Sequence, residues 1–490
     1  MFHSSYMKRI SFIIALLAVL AGTISCTKET KSETKDTKFM VLSDIHFMHP
    51  DILKAEGKAF DKYNWEECKL LRESIDIFRA AIEAVRAERP DFVLVCGDMS
   101  KDGEVICHQY VADAFRQLEE ETGTKVLVVP GNHDMNNPHS LYYDGDNTVP
   151  AESATEAKFE EIYGGLGYSE AVARRSGYLD YMSYPADGIA VICADSNEKN
   201  TAEKLQVQGG LSREQVTWIT QMAAKAHYEG RHVLLMMHHN LVEFYDHAAL
   251  IRGANIANAR YDYTNAELID DLCAAGVDVV FSGHSHMHSI TSATSNGHTI
   301  YSVVTSSLVN LPLAYRCGTI SEDGVMTLTT SDLKDTQTAG GINLRTEGDR
   351  YWMDLSKFYM FEAARVTWEN AGLFLPLIGF KSQEELQTFL DTRFRSVFYT
   401  FLTRTSDGDE HLVTPQENTE QAMAAVDGLI EYLDEQVSKD VIDTILQILF
   451  RIDLDDIRQT FYEFFSSAYF NYLGSGPIMP DSEIVVNLTD

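Results

Sequence analysis

Between residues 38 and 286 the chain repeats one device: a short apolar run, rich in β-branched residues, cut off by polar side chains. The runs are KFMVLSD, DFVLVCGD, KVLVVPGNHD, GIAVICADS, HVLLMMHHN and VDVVFSGHSH. Each has the length and composition of a buried strand. Between them, ESIDIFRAAIEAVRAERP and EVICHQYVADAFRQLEEETG space their apolar residues at helical intervals, with Pro90 and Gly123 as stops. TNAELIDDLCAAGV opens on the cap candidates Thr264 and Asn265 and closes at Gly276. This alternation predicts an α/β architecture with parallel or mixed sheets. Farther on, TIYSVVTSSLVN, AYRCGTISED and VMTLTTSDL read as a meander with a turn at Asp323-Gly324. The pattern changes after DTQTAGGINLRTEGD. Residues 350–475 carry aromatic-rich helical spacing and are expected to form a C-terminal all-α accessory domain, in which the aromatic stripe over 456–473 is core. Residues 476–490 read as a loose tail.

What ends the runs narrows the chemistry. Five of the six stop in side chains that ligate metals: Asp44 and His46; Asp98; Asn132, His133 and Asp134; His238 and His239; His284, His286 and His288. Alone, GNHD could be an ordinary polar turn, since Gly and Asn supply the backbone conformations turns need. Together the five point to one site, because ligands of open α/β sheets gather beyond the carboxyl ends of the strands. Residues two apart on an extended strand face the same way, which would pair Asp44 with His46 and His284 with His286. Other polar residues have plainer readings. His239 is adjacent to a ligand candidate and faces away from it, His108 makes structural hydrogen bonds, and Asp195 caps or packs. His49, His247 and His288 read as rim residues.

In this order, DxH, GD, GNHD, H and GHxH resemble the calcineurin-like metallophosphoesterases over residues 38–335. GDMSKDGEVICH, LSREQVTWI and MMHHNLVEF look like a bacterial branch that adds a C-terminal helical domain and is similar to cyclic-nucleotide phosphodiesterases. The resemblance implies a β-sandwich flanked by helices and two divalent transition-metal ions (Mn, Fe, Zn or Co). One ion would be held by Asp44, His46 and His286, the other by Asn132, His238 and His284, with Asp98 bridging. A metal-bridging hydroxide would attack phosphorus in line. His133 would be the general acid, with Asp134 orienting its ring. The expected activity is hydrolysis of small phosphate esters, most of all diesters such as cyclic nucleotides. A phosphomonoesterase or phosphoprotein phosphatase is the alternative within the same chemistry. A surface lipoprotein that binds a partner on an inactive scaffold is the alternative outside it.

Charge and targeting bound the partners. Acidic residues number 73 against 40 basic, a formal net charge of −33, which disfavours a nucleic-acid polymer as substrate. Lys8 and Arg9 precede an apolar run, Ile10 to Ala21, too short for a bilayer core of about 30 Å. Residues 1–26 therefore read as a secretory signal. GTISC resembles the lipobox of bacterial lipoproteins, with Thr23 where that motif usually has Leu, so Cys26 is expected to carry lipid and anchor an exported protein to a bacterial membrane. A plain cleaved signal and an uncleaved anchor are the alternatives. Residues 27–37 read as a flexible tether. Six cysteines remain, with no CxxC pair among them, so neither a zinc ribbon nor a disulfide framework is supported.

Overall fold

The apolar runs fold as the strands expected of them. In chain order the strands are β1 (Thr37–Leu42), β2 (Leu53–Ala55), β3 (Phe92–Val95), β4 (Lys125–Val128), β5 (Leu141–Asp144), β6 (Asn147–Pro150), β7 (Ala173–Arg174), β8 (Tyr181–Ser183), β9 (Ile189–Cys193), β10 (His232–Met236), β11 (Val279–Ser282), β12 (Ser289–Ser295), β13 (His298–Val304), β14 (Ala314–Ile320), β15 (Val325–Asp332) and β16 (Glu483–Asn487). The helices are α1 (Lys58–Glu67), α2 (Ser74–Glu88), α3 (Val105–Thr122), α4 (Glu156–Tyr163), α5 (Arg213–Tyr228), α6 (Asn265–Ala274), α7 (Gly348–Ala371) and α8 (Gln383–Arg393). This computed structural model describes residues 36–395 apart from 68, 202, 243–262, 287, 374 and 379, then scattered positions between 420 and 459, and residues 483–489. The signal segment, Cys26, the tether before Asp36, His247, the aromatic stripe's core and most of the expected 350–475 domain lie outside them.

Two sheets face each other. One has the order β16-β15-β14-β1-β3-β4 and the other β12-β13-β11-β10-β9-β8-β7; a small third sheet is β2-β5-β6. The centres are parallel, β1 with β3 and β3 with β4 in one sheet, β9 with β10 and β10 with β11 in the other. Alternation along a strand divides its side chains between two cores. In β10, Leu234 and Met236 face the other sheet, while Val233 and Leu235 pack under the helices α5 and α6. Phe39 of β1 stacks on Phe92 at 5.3 Å and meets Phe281 of β11 edge-on at 5.6 Å, which joins the two sheets. Buried on both faces, these strands are continuously apolar. The architecture is the expected α/β sandwich flanked by helices.

Helix ends follow local chemistry. Thr264 and Glu267 form a reciprocal capping box on α6, Ser212 caps α5, and Gly123 ends α3 at φ 77°. Leu355 of α7 packs on the main core, and Trp65 of α1 meets Phe358 and Phe361 edge-on.

Two expectations change. The meander is split: β14 and β15 form the hairpin with its turn at Asp323-Gly324, but β13 pairs with β11 and β12 in the opposite sheet. A second hairpin, β12–β13, turns at Asn296-Gly297, a pair that suits the left-handed backbone of such turns. The C-terminal tail is not loose. Its last residues form β16, antiparallel to β15, with Ile484 and Val486 buried and Val485 exposed. Alternation of this kind gives an edge strand one face to bury. Thr489 then fastens to Asp278 through its N–H and hydroxyl. Cys96, Cys107, Cys193, Cys273 and Cys317 are free thiols.

Candidate metal centre

Asp44 and His46 follow β1, Asp98 follows β3, Asn132 follows β4, His238 follows β10, and His284 and His286 follow β11. All seven stand just past the carboxyl ends of five strands, three from one sheet and two from the other. Strand alternation does not aim them. Asp44, His46, Asp98, His284 and His286 all have left-handed backbones, with φ of 48°, 40°, 52°, 66° and 59°. A non-glycine residue pays strain for that conformation, and such strain concentrates at functional sites. The kinks turn each side chain inward immediately after its strand. Glycines allow the closeness: a Cβ at Gly131 would collide with the Asp98 carboxylate, and one at Gly283 with Ser43 and Asp44.

The seven form two adjoining donor clusters. In the first, His46 Nε2 lies 3.1 Å from His286 Nε2, and Asp44 Oδ1 lies 3.4 Å from His286 Nε2. In the second, Asn132 Oδ1 lies 3.1 Å from His238 Nε2 and 2.9 Å from His284 Nδ1. Asp98 Oδ2 stands between them, 3.3 Å from His238 Nε2 and 3.7 Å from His46 Nε2. Asp98 Oδ1 is turned away and accepts the His133 N–H at 2.8 Å. Asp44 accepts the His284 N–H, and Ser307 Oγ donates to the Asp44 carbonyl at 2.8 Å.

These residues fit cations. His238 Nδ1 lies 2.7 Å from the Cys96 carbonyl, which can only accept, so that nitrogen carries the hydrogen. The lone pair of Nε2 then faces the Asp98 carboxylate, with the Asn132 amide oxygen and a His284 ring nitrogen beside it, a set of groups that can each give a lone pair to one cation. With a proton as the only cation, burial opposes charge on His238, but Asp98, Asp44 and the Cys96 carbonyl together outweigh it and push the pKa up to about 9. Burial and then the His238 charge bring His284 down to about 3. Burial opposes ionisation of the Asp98 carboxyl, but His238, His133 and His46 together outweigh it and hold the group well below the usual range. The donor set of imidazoles, carboxylates and one amide suits divalent transition ions.

His133 stands beside the first cluster, its ring edge-on to His46 at 4.9 Å. Its Nδ1 meets Asp102 Oδ1 at 2.8 Å. Asp134 was expected in that place, but its carboxylate points the other way. It accepts the N–H groups of Gly131, Ser100 and Met99 at 2.8, 3.0 and 3.2 Å, and the Ser100 hydroxyl. Asp134 thus ties the GNHD loop to the Asp98 loop, and Asp102 is the partner that the sequence reading missed. Asp102 is four residues past the GD pair, inside GDMSKDGEVICH, a stretch whose quoted resemblance gave Asp102 no role. Its other oxygen takes Tyr63 Oη at 2.5 Å and Lys101 Nζ at 2.5 Å. Burial and Lys69 oppose charge on His133, but Asp98 and Asp102 prevail and raise its pKa.

The remaining candidates are sorted by their contacts. His239 is buried, with Ser196 Oγ at 2.9 Å and the Val207 carbonyl at 3.1 Å, and its ring packs 4.2 Å from that of His284. His108, in the first turn of α3, bridges Tyr163 and the Asp134 carbonyl. His49 caps a short 3-10 turn. His288 is no rim residue: it is 3% exposed and reaches Thr330 of β15, because the start of β12 lies inside the sandwich. Asp195 accepts from the N–H and side-chain amide of Asn197 and borders a cleft of about 1060 Å³. That cleft shares Gly131 and Asn132 with the metal centre and extends past Arg174, Arg175 and Tyr178.

The calcineurin-like phosphoesterase family model matches residues 37–288, just over half of the chain. No curated protein matches significantly. Among solved structures, a dimetal phosphatase from Danio rerio is 12% identical at a TM-score of 0.40, over 60% of this chain and 95% of that one. A second solved structure is 11% identical at a TM-score of 0.31, with the same coverage. The family match spans all seven strand-end donors, on five loops in chain order, and the two donor clusters give it room for two divalent ions. The chain belongs to the calcineurin-like phosphoesterase family, as a dinuclear metallophosphoesterase that hydrolyses phosphate esters.

Proposed function

We propose that the chain hydrolyses small phosphate diesters, cyclic nucleotides among them, outside the cytoplasm and anchored by lipid on Cys26. Asp44, His46 and His286 would hold one ion and Asn132, His238 and His284 the other, with Asp98 shared between them. Two divalent ions there supply Lewis acidity, acidifying water and offsetting charge on the phosphoryl oxygens. His133 holds a proton on Nε2 for the departing alcohol oxygen, and Asp102 fixes the ring through Nδ1. The side chains of His133 and His286 are 13% and 21% exposed, whereas those of Asp44, His46 and His238 are closed off, so substrate enters on the His133–His286 side.

The cleft beside Asn132 carries the diester reading. A diester needs room for a second substituent and bears one negative charge where a monoester bears up to two. The cleft offers room, and each of its cations is already engaged by a lining carboxylate. Arg174 meets Glu160 at 2.5 Å, Arg175 meets Asp180 at 3.2 Å, and Lys199 meets Glu156 at 2.9 Å. None of the three is left to clamp the extra charge of a monoester. Kinetics on bis(p-nitrophenyl) phosphate, 3′,5′-cyclic AMP and p-nitrophenyl phosphate test this. The diesters should lead in kcat/KM by about tenfold or more, ~1.4 kcal/mol of transition-state discrimination; a monoester preference overturns it. Metal analysis should find about two ions per chain, and Asp98→Asn should lower that number, as expected of a carboxylate shared by both.

A further inference from the structure

Two lysines are buried next to the metal centre, and their surroundings differ. Lys101 is fully engaged. Its ammonium meets Asp102 Oδ2 at 2.5 Å, Glu104 Oε1 at 3.0 Å and the His139 carbonyl at 3.4 Å, and lies over the Tyr63 ring at 4.4 Å. Lys69, in the bend between α1 and α2, has a side chain only 5% exposed. Among the described residues its ammonium has one acceptor, Glu67 Oε2 at 2.8 Å. An ammonium has three N–H donors, so two are unused, and a buried ammonium is costly to leave so.

The fold holds Lys69 against the reacting side of the centre. The N–H of the next residue, Leu70, donates to the Val309 carbonyl at 2.8 Å, and Val309 is two residues from the Ser307 that secures Asp44. Ser74, at the start of α2, accepts the Met48 N–H at 3.0 Å, two residues past His46. Tyr63 of α1 reaches Asp102. Burial first, and then the Lys69 charge, disfavours the charged forms of His46 and His133; burial likewise opposes the Lys69 charge, which Glu67, Asp102 and Asp98 together favour. These contacts hold the Lys69 bend on the side of the centre that carries His46, Asp102 and His133, the side on which a substrate's phosphoryl group would meet the His133 proton.

We propose that Lys69 is a catalytic residue that binds a non-bridging phosphoryl oxygen of the substrate with its two unused N–H donors. Lys69 transfers no proton. Water supplies the oxygen that bonds to phosphorus, the P–O bond to the alcohol breaks, and His133 protonates the departing oxygen. Lys69 offsets charge that gathers on the phosphoryl oxygens as this occurs. The inference rests on phosphate-ester hydrolysis at this centre and applies to monoesters and diesters alike, so it survives if the diester preference fails.

Lys69→Met keeps the apolar stem and removes the charge, and Lys69→Arg keeps the charge. Three readouts are needed: kcat/KM on a diester and a monoester, calorimetric binding of inorganic phosphate, and metal content with Tm. Lys69→Met should lower kcat/KM on whichever ester is turned over by about 10- to 100-fold and weaken phosphate binding similarly, the effect of one hydrogen bond to a charged group. Its metal content and Tm should stay near those of the parent, and Lys69→Arg should recover part of both losses. Unchanged phosphate binding and kcat/KM in Lys69→Met would overturn the proposal. So would loss of metal or a large drop in Tm in both variants, which would make Lys69 a structural partner of Glu67.

Discussion

His133 and Asp134 are neighbours in sequence, yet their side chains serve different networks. The His133 ring is set by Asp102, whereas both oxygens of Asp134 are taken by backbone N–H groups of two loops. Three substitutions separate these roles. His133→Ala should slow alkyl and ribose esters by about 10²–10⁴ and aryl esters far less, since a nitrophenolate departs with little protonation. Asp102→Asn should show the same leaving-group dependence in weaker form. Asp134→Asn should instead lower the stability by ~1–3 kcal/mol, because an amide nitrogen would face N–H donors. Equal losses on alkyl and aryl esters at full metal content would contradict the acid role. A second residue-scale expectation concerns pH. Burial, with Asp180 adding, raises the pKa of Asp195 to about 7. The folded state then binds this proton more tightly than the unfolded chain, so the stability it confers is complete below the unfolded value and is lost as pH rises through about 7. Asp195→Asn cannot ionise and keeps an acceptor for Asn197. Its Tm should gain on the parent between about pH 5 and pH 8, and a difference constant across that range would refute the assignment.

At the scale of elements, the strands deliver residues and the turns after them aim them. Five of the seven donors sit in left-handed backbone, at a cost of about 1–3 kcal/mol each, which only a well-packed surround can hold in place. That surround includes β16. Ile484 is 1% exposed in the core, and Val485, its neighbour, is 52% exposed. Ile484→Ala should destabilise by about 2–5 kcal/mol through lost burial and a cavity. Val485→Ala should stay within about 0.5 kcal/mol. Chemical denaturation of both variants checks the strand directly, since a loose tail would make the two substitutions equally silent.

The whole molecule joins a strongly anionic surface to a cationic centre. A net charge of −33 repels polyanions, while the ions at the strand ends attract one phosphate group. Small esters are the substrates that satisfy both. The proposed lipid anchor on Cys26 is tested directly: Cys26→Ser should release the protein from membrane fractions or stall its processing. A variant that fractionates and migrates as the parent does would leave a plain secreted form as the better account.

The linear chain carried the periodic part of this protein. Runs such as VDVVFSGHSH and HVLLMMHHN announce buried strands and name the donors at their ends, because a continuous apolar run and residue type are local properties. The sequence could also supply order, DxH to GHxH, and with it the family. What it could not supply were partners set by packing. His46 and His286 are 240 positions apart and meet at 3.1 Å only because β1 and β11 end at the same rim of two facing sheets. Asp102 replaced Asp134 at the His133 ring because the loop after β3 folds over the loop after β4. β13 left the meander for the opposite sheet, where both its edges are paired, one parallel to β11 and the other antiparallel to β12. Lys69, with no motif around it, became a candidate for chemistry once the bend between two helices was buried beside the loops that follow β1 and β13. Each of these is a long-range contact whose free energy depends on what lies across the core, and no local pattern encodes that.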